Sequence, residues 1–552
     1  MRQLESVRHS SWPGRLALGL PVLIAIALMA PRILDAHFGL FDDPGSVSVA
    51  QQTWAGNWDW REDAGYGRFR PVYWLAFSLI YGWAGKQAAW YFFGNLLLLA
   101  GTALLLSCIV LRLTRRPLAA GVAGIAFVLG GPVVEATYTL SKPELLQCFF
   151  LTASGATLVL SPRAPSKGTR AGSVLLASLF VLLAALTKET TGLVLVIALV
   201  WLALAWLSNH VMAKGDALWD PSLAHQCVLA AVVGIGVFAL GVLTLSPSTV
   251  SGAGPRANFT FAWDVIAGNA RTWLDWIVRD WLYLLPLVIA AAFLVIRERK
   301  TGHITGMLGS LVWMGAWFAL YLPYRFTPEY YLLPFSLGAA VLTGVLTLVV
   351  VDAARGTGWA GRFLARGCVA LAAILMLLTV PNIVSNAGIQ LSVDKANAAM
   401  LRLVADEAPQ GGLILVNIRA DIEYLWQLDP MLRVVYDRPD LTVTPYQGSA
   451  DSTPAGRGQP TVLSPLIENV PYPSVRLGIP EVASREWEAS LQQELDGRLH
   501  LLREVRYGLN LFTVDAPRMI CLAVPQARYC QQPHTPFDTR RFAQGWRVYS
   551  VR

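Results

Sequence analysis

Residues 15–44 read RLALGLPVLIAIALMAPRILDAHFGLFDDP. The first twenty of these carry charge only at Arg15 and Arg32. A helix of roughly that length, rising about 1.5 Å per residue, crosses a hydrocarbon core of about 30 Å. A short step beyond it come two adjacent carboxylates, Asp42 and Asp43, followed by Pro44. An apolar span that ends by presenting paired carboxylates at one membrane face sets the terms for the rest of the chain.

The apolar signature recurs at 90–111, 118–138, 144–161, 173–187, 190–208, 227–246, 273–296, 305–323, 331–351 and 367–385. Of the 552 residues, 55% are hydrophobic and only 14% are charged. Mean hydropathy is +0.47. Soluble globular chains carry about a quarter charged residues. The pattern predicts an α-helical polytopic membrane protein with about eleven transmembrane helices over 1–386. It also predicts a small soluble α/β domain over 387–552. The first apolar segment could pass for a cleaved leader, but Pro31-Arg32 interrupts the cleavage region, so it is read as a retained span.

The net charge is +8, and residues 387–552 hold 17 basic against 18 acidic side chains, so the excess belongs to residues 1–386. Basic residues gather in alternate loops: Arg2, Arg8 and Arg15; Arg112, Arg115 and Arg116; Arg163, Lys167 and Arg170; Lys214; Arg297, Arg299 and Lys300; Arg355, Arg362 and Arg366. The positive-inside rule makes these loops and the N-terminus cytoplasmic. An odd number of spans then puts the first long loop (35–89) and the C-terminal domain outside. In a bacterium that is the periplasmic face of the inner membrane. The soluble part has no basic block, which excludes nucleic acid as a partner. Cys108, Cys148, Cys227 and Cys368 read as packing residues. Cys521 and Cys530 flank a hairpin in the tail; in an exported tail they are either a disulfide or two separate thiols.

Ionisable residues near outer helix ends are costly and mark sites. Asp42-Asp43-Pro44 offers a carboxylate that can take a proton from an attacking hydroxyl. It also suits a helix start, with Pro at the first helical position. Only one Asp is needed for the cap, so the readings are compatible. Arg68-Phe69-Arg70-Pro71 offers guanidinium groups, which grip phosphate bidentately or contact lipid headgroups. Glu135, Lys142-Pro143-Glu144 and Lys188-Glu189 place further charges at outer turns. Arg325 sits in an aromatic stretch, Tyr324 to Tyr331, as a phosphate ligand or a snorkelling anchor. Aromatic residues crowd the first outer loop, among them Trp54, Trp58, Trp60, Tyr73, Trp74 and Trp83. They suit the headgroup level of the lipid bilayer, and they could also stack on sugar rings. No Walker loop, dinucleotide glycine pattern or zinc spacing occurs, so nucleotide-driven chemistry is not indicated.

The acidic pair after the first span, the Arg-Phe-Arg-Pro segment and Asn95 in the second span together resemble the C-type glycosyltransferase superfamily. The likeness is nearest to the protein O-mannosyltransferase branch and its transmembrane relatives with tetratricopeptide tails. Pro143-Glu144-Leu145-Leu146 and Lys188-Glu189 stand where those proteins carry an acidic motif and a Lys-Glu. The likeness covers about residues 15–210 by motif and 211–386 by hydropathy alone. It implies an inverting glycosyltransferase that moves a sugar from a polyprenyl-phosphate donor to a periplasmic acceptor. In those relatives the first acidic position is usually the base, which points to Asp42 before Asp43. Arg70, Lys188, Arg325 and Lys142 would hold the donor phosphate. Glu144, Glu189 and Arg68 are further site candidates. Some members of the superfamily bind a divalent cation and others do not; this sequence has no dedicated metal cage.

The tail departs from that branch, with no repeat of about 34 residues. Its pattern predicts a helix at 394–408, a buried strand after a turn over 411–417, further strands near 432–436, 500–506, 510–514 and 519–524, a helix near 481–496, and a loop over 448–463. Three other functions compete, one of them a non-catalytic assembly or receptor protein, which would not need the clustered Asp, Lys and Arg. A transporter or flippase of lipid-linked saccharides should have internal repeats with interrupted helices, and none is visible. A polymerase or ligase would use outer arginines without a carboxylate base beside the first span.

Overall fold

A computed structural model describes residues 12–40, 42–58, 69–161, 166–211, 221–245, 259–298, 304–324, 327–356, 358–419, 423–446, 460–468, 481–495, 497–515 and 537–551. Helix α1 (Trp12–Leu34) leads to α2 (Asp43–Trp54), α3 (Pro71–Ala84), α4 (Ala88–Thr114), α5 (Pro117–Val128), α6 (Gly131–Tyr138) and α7 (Glu144–Leu160). There follow α8 (Lys167–Ala185), α9 (Leu193–Val211), α10 (Pro221–Leu245), α11 (Trp263–Trp281), α12 (Leu284–Glu298) and α13 (Ile304–Leu320). The helical series ends with α14 (Leu333–Gly356), α15 (Trp359–Leu377) and α16 (Val380–Glu407).

Among the described residues, seven helical segments are long and apolar enough to cross a membrane, or nine if each bent pair is one span. The bent pairs are α5 with α6, at 56°, and α11 with α12, at 79°. Two shorter apolar helices, Glu144–Leu160 and Gly306–Leu320, fill the remaining windows. Each of the eleven apolar windows therefore overlaps one of these segments. The break between α5 and α6 follows from Gly130-Gly131-Pro132, because proline cannot donate to the preceding turn. The segment Glu329–Asp352, which takes in most of α14, lies at the centre with 89% of its apolar window buried. Its Ser336, Thr343 and Thr347 hydroxyls donate to carbonyls one turn back at 3.1, 2.7 and 2.8 Å. Buried hydroxyls are thus satisfied where no water is available.

The tail is a five-stranded mixed sheet in the order β2-β1-β3-β5-β4. The strands are β1 (Leu413–Val416), β2 (Thr442–Pro445), β3 (Thr461–Glu468), β4 (Leu499–Val514) and β5 (Phe537–Val551). β1 pairs in parallel with β2 and β3, while β5 runs antiparallel to β3 and β4. Helix α17 (Glu423–Pro430) follows β1, and α18 (Glu481–Glu494) follows β3. The sheet packs on α16: Asn382 exchanges two hydrogen bonds with the Val514 backbone, at 2.8 and 2.7 Å, and Ser385 donates to Phe512 O at 2.8 Å. Trp546, fully buried, donates to Asn397 at 2.8 Å. Position 387 lies inside α16, so one helix serves both the membrane part and the sheet.

Three tail expectations change. Residues 432–436 do not form a strand: Met431–Val435 is a π-helical turn continuing α17, with Met431 and Leu432 buried. A short buried apolar run cannot be told from a helical turn by periodicity. The stretches 500–506 and 510–514 are one strand, β4, with an irregularity between Leu501 and Arg503. The loop reading of 448–463 ends in error, since β3 begins at Thr461. Residues 519–524, Cys521 and Cys530 lie outside the described residues.

Candidate active site

Asp42 precedes α2 with φ of 64°, a left-handed conformation that Asp tolerates better than most side chains. Pro44 occupies the first turn of α2, where a missing N–H costs nothing. This turn sends the two carboxylates in different directions. Asp43 points inward and is 1% exposed. It accepts the Gly39 N–H at 2.8 Å and the Leu140 N–H at 3.0 Å, which ties the loop after α1 to the loop between α6 and α7. Burial, and then the nearby negative Asp394, push its pKa up to about 7, against the lowering effect of the two N–H donors and Arg32. The Asp42 side chain stays 40% exposed. Lys142 Nζ donates to it at 3.0 Å and Ser141 Oγ at 3.3 Å.

Three cationic side chains lie around this carboxylate. Lys142 is buried and sits 4.6 Å from the Tyr330 ring centroid. Lys188 pairs with buried Glu144 and faces the rings of Tyr331, at 4.5 Å, and Tyr321, at 5.6 Å. Arg70 is held in two-pronged fashion by Glu189, with Nε–Oε2 at 3.0 Å and Nη2–Oε1 at 2.7 Å. Each of these cations is therefore partnered by a carboxylate. Gln147 donates to Thr190 and Thr191, fixing the turn that carries Lys188 and Glu189. Tyr73 donates to Leu140 O at 3.1 Å, fixing the loop that carries Lys142. Asn95 donates to the carbonyls of Thr137 and Thr139, so its place in the motif is to hold the same loop. Asp42, Asp43, Arg70, Lys142, Glu144, Lys188 and Glu189 thus come together around four loops. Arg68 and Arg325 lie outside the described residues.

Glu135, already singled out from the sequence, joins this region, while Arg279, Asp280 and the Arg32–Asp394 pair were missed by sequence reading. Glu135 accepts the Tyr330 N–H at 2.9 Å, which anchors the aromatic loop. Arg279, on α11, binds Asp280 through two contacts of 2.6 Å and also binds Glu329, all three buried. Their only advance signal was charge at the ends of apolar windows. Arg32, inside the first apolar run, pairs with Asp394 of α16 at 2.6 Å. A buried charge in a span demands a partner, but nothing local names it. Among the described residues no group of three or more His, Cys, Asp or Glu is placed to hold a metal ion.

A cleft of about 880 Å³ opens between residues 33–38, the α3–α4 turn, the end of α16 and residues 431–438. His37, Lys86, Arg402, Asp406 and Asp437 contribute its polar walls. Lys86 and Asp437 form an ion pair of 2.5 Å across it.

No family model and no curated protein sequence matches the chain. Among solved structures, it is similar to ArnT from Cupriavidus metallidurans in the apo state, with a TM-score of 0.50 and 14% identity, over 95% of this chain and 97% of that one. ArnT from the same organism bound to undecaprenyl phosphate matches with a TM-score of 0.45 and 12% identity, over 80% of this chain and 92% of that one. The Archaeoglobus fulgidus oligosaccharyltransferase, tethered to an acceptor peptide containing the NVT sequon, matches with a TM-score of 0.49 and 12% identity. That match covers 78% of this chain and 64% of the oligosaccharyltransferase, so the chain spans under two thirds of its length. None of the three is a protein O-mannosyltransferase. Apo ArnT, matched over nearly the whole of both chains, shows that the chain has the ArnT fold.

Proposed function

We propose that the protein is an inverting membrane glycosyltransferase, taking a sugar from a polyprenyl-phosphate donor and passing it to a hydroxyl acceptor on the outer, periplasmic face. The observation that carries this reading is Asp42: a partly exposed carboxylate on a left-handed turn, beside Lys142 and Ser141 and among Arg70 and Lys188. Asp42 takes the proton from the acceptor hydroxyl as its oxygen attacks the anomeric carbon. The bond from that carbon to the phosphate oxygen breaks, and the lipid phosphate leaves with the bonding electrons. Such a leaving group needs cations placed before it forms. Arginine meets carboxylate and phosphate through the same planar fork, so Glu189 keeps Arg70 in the shape a donor phosphate takes over. The cleft lined by His37, Lys86 and Arg402 gives an acceptor polar walls from both the membrane part and the tail.

The test is Asp42→Asn, assayed in membranes containing the native acceptors. Radiolabelled polyprenyl-phosphate hexoses and pentoses serve as donors, and release of polyprenyl phosphate is measured. Loss of a general base costs about 10²–10⁴-fold. Turnover at the parental rate in Asp42→Asn would remove Asp42 from the mechanism. Arg70→Ala should raise the KM for the donor and lower kcat with it.

A further inference from the structure

We infer that the Arg32–Asp394 ion pair is a positioning device for the Asp42 turn, so that the tail helix sets the geometry of the reacting carboxylate. The inference rests on the reading of Asp42 as the base. Arg32 ends α1 and is fully buried, with its guanidinium carbon 3.8 Å from the Phe92 ring centroid. Its partner Asp394 is 1% exposed and lies on α16, where Gln390 also donates to it at 3.3 Å. Gly39 lies against this Asp394 carboxylate. A Cβ added there would sit 2.9 Å from Asp394 Oδ1 and 3.4 Å from Asp43 Oδ2. The Gly39 backbone is therefore held between two carboxylates, one from the tail helix and one from its own loop.

The chain of contact is continuous. Arg32 fixes Asp394, Asp394 packs on Gly39, and the Gly39 N–H donates to Asp43. Asp43 is the residue next to Asp42 and also receives the Leu140 N–H, two residues before Lys142. Both the base and its lysine partner thus hang on the Asp43 carboxylate. A shift of the Gly39 backbone moves the turn that aims Asp42. Displacements of about 1 Å at a reacting group cost up to about 10²-fold in rate.

The variant Arg32→Met/Asp394→Leu removes both charges together, which avoids stranding either one in the core. Gly39→Ala leaves the charges in place but crowds Asp394. Both are measured for kcat and donor KM as above, with thermal unfolding in detergent alongside. Each is also combined with Asp42→Asn. The expected result is a folded protein with kcat lowered about 10–100-fold and donor KM little changed. In the Asp42→Asn background the same changes should have no further effect on kcat, because the pair acts through Asp42. An equal loss in both backgrounds, or parental kcat in the folded variants, overturns the inference. So does failure of both variants to fold at temperatures where the parent is folded, since the pair is then structural alone. Full activity of Asp42→Asn by itself would instead sink the base assignment.

Discussion

At Asp42 and Asp43 one backbone turn gives two identical side chains different chemistry. Asp43, with its pKa raised from 3.8 to about 7, holds a proton in the folded state that the unfolded chain has already lost. Between those values the folded state binds more protons, so stability is highest on the acid side and falls as pH rises toward about 7. Over the two units from pH 5 to pH 7 the fall is about 2–3 kcal/mol from this group. Asparagine mimics the protonated acid and does not titrate. The gap in melting temperature between Asp43→Asn and the parent should therefore move in the variant's favour from pH 5 to pH 8. A gap that stays constant with pH would place that proton elsewhere. The sequence could offer both carboxylates but not tell them apart, because their difference lies in a single positive φ and in burial by a helix over 350 residues away.

The helices were readable because the bilayer demands a long apolar run from each, and every window found its segment. The breaks within them depended on packing. Gly131, opening α6, shows the reason: a Cβ there would collide with Asp280 Oδ2 and Glu329 Oε1, the acids that hold Arg279. Gly131→Ala should destabilise the protein by about 3 kcal/mol, through overpacking beside a buried ion cluster. Gly19→Ala on α1, which meets nothing within 4 Å, is the control and should leave the melting temperature unchanged. In the tail, β3 and β5 escaped sequence reading for a different reason. β3 carries Pro465 in its interior, and β5 opens with Asp538, Arg540 and Arg541, charges that hide the alternation of a strand.

On the scale of the whole molecule, tail and membrane part meet through charge as well as apolar surface. Asp35 pairs with Lys395 at 2.8 Å, Lys86 with Asp437, and Arg32 with Asp394. The first two are partly exposed and contribute little. The third is buried, so its halves are unequal to its whole. Asp394→Ala leaves Arg32 uncompensated and should cost about 3–5 kcal/mol, while Arg32→Met/Asp394→Leu should cost clearly less. Thermal unfolding of the two variants side by side checks this; equal losses would mean the pair contributes as a bound unit.

Arg32 also has a history within each molecule's synthesis. Its partner Asp394 is made 362 positions later. Until α16 arrives, the first helix holds a cation in or beside the lipid with no counter-ion from the tail. The turn bearing Asp42 then lacks its backing. A nascent chain therefore passes through a long interval in which its membrane helices can be inserted but the Asp42 turn is not yet held in place. The packing that backs this turn is therefore complete only once α16 has been made and docked.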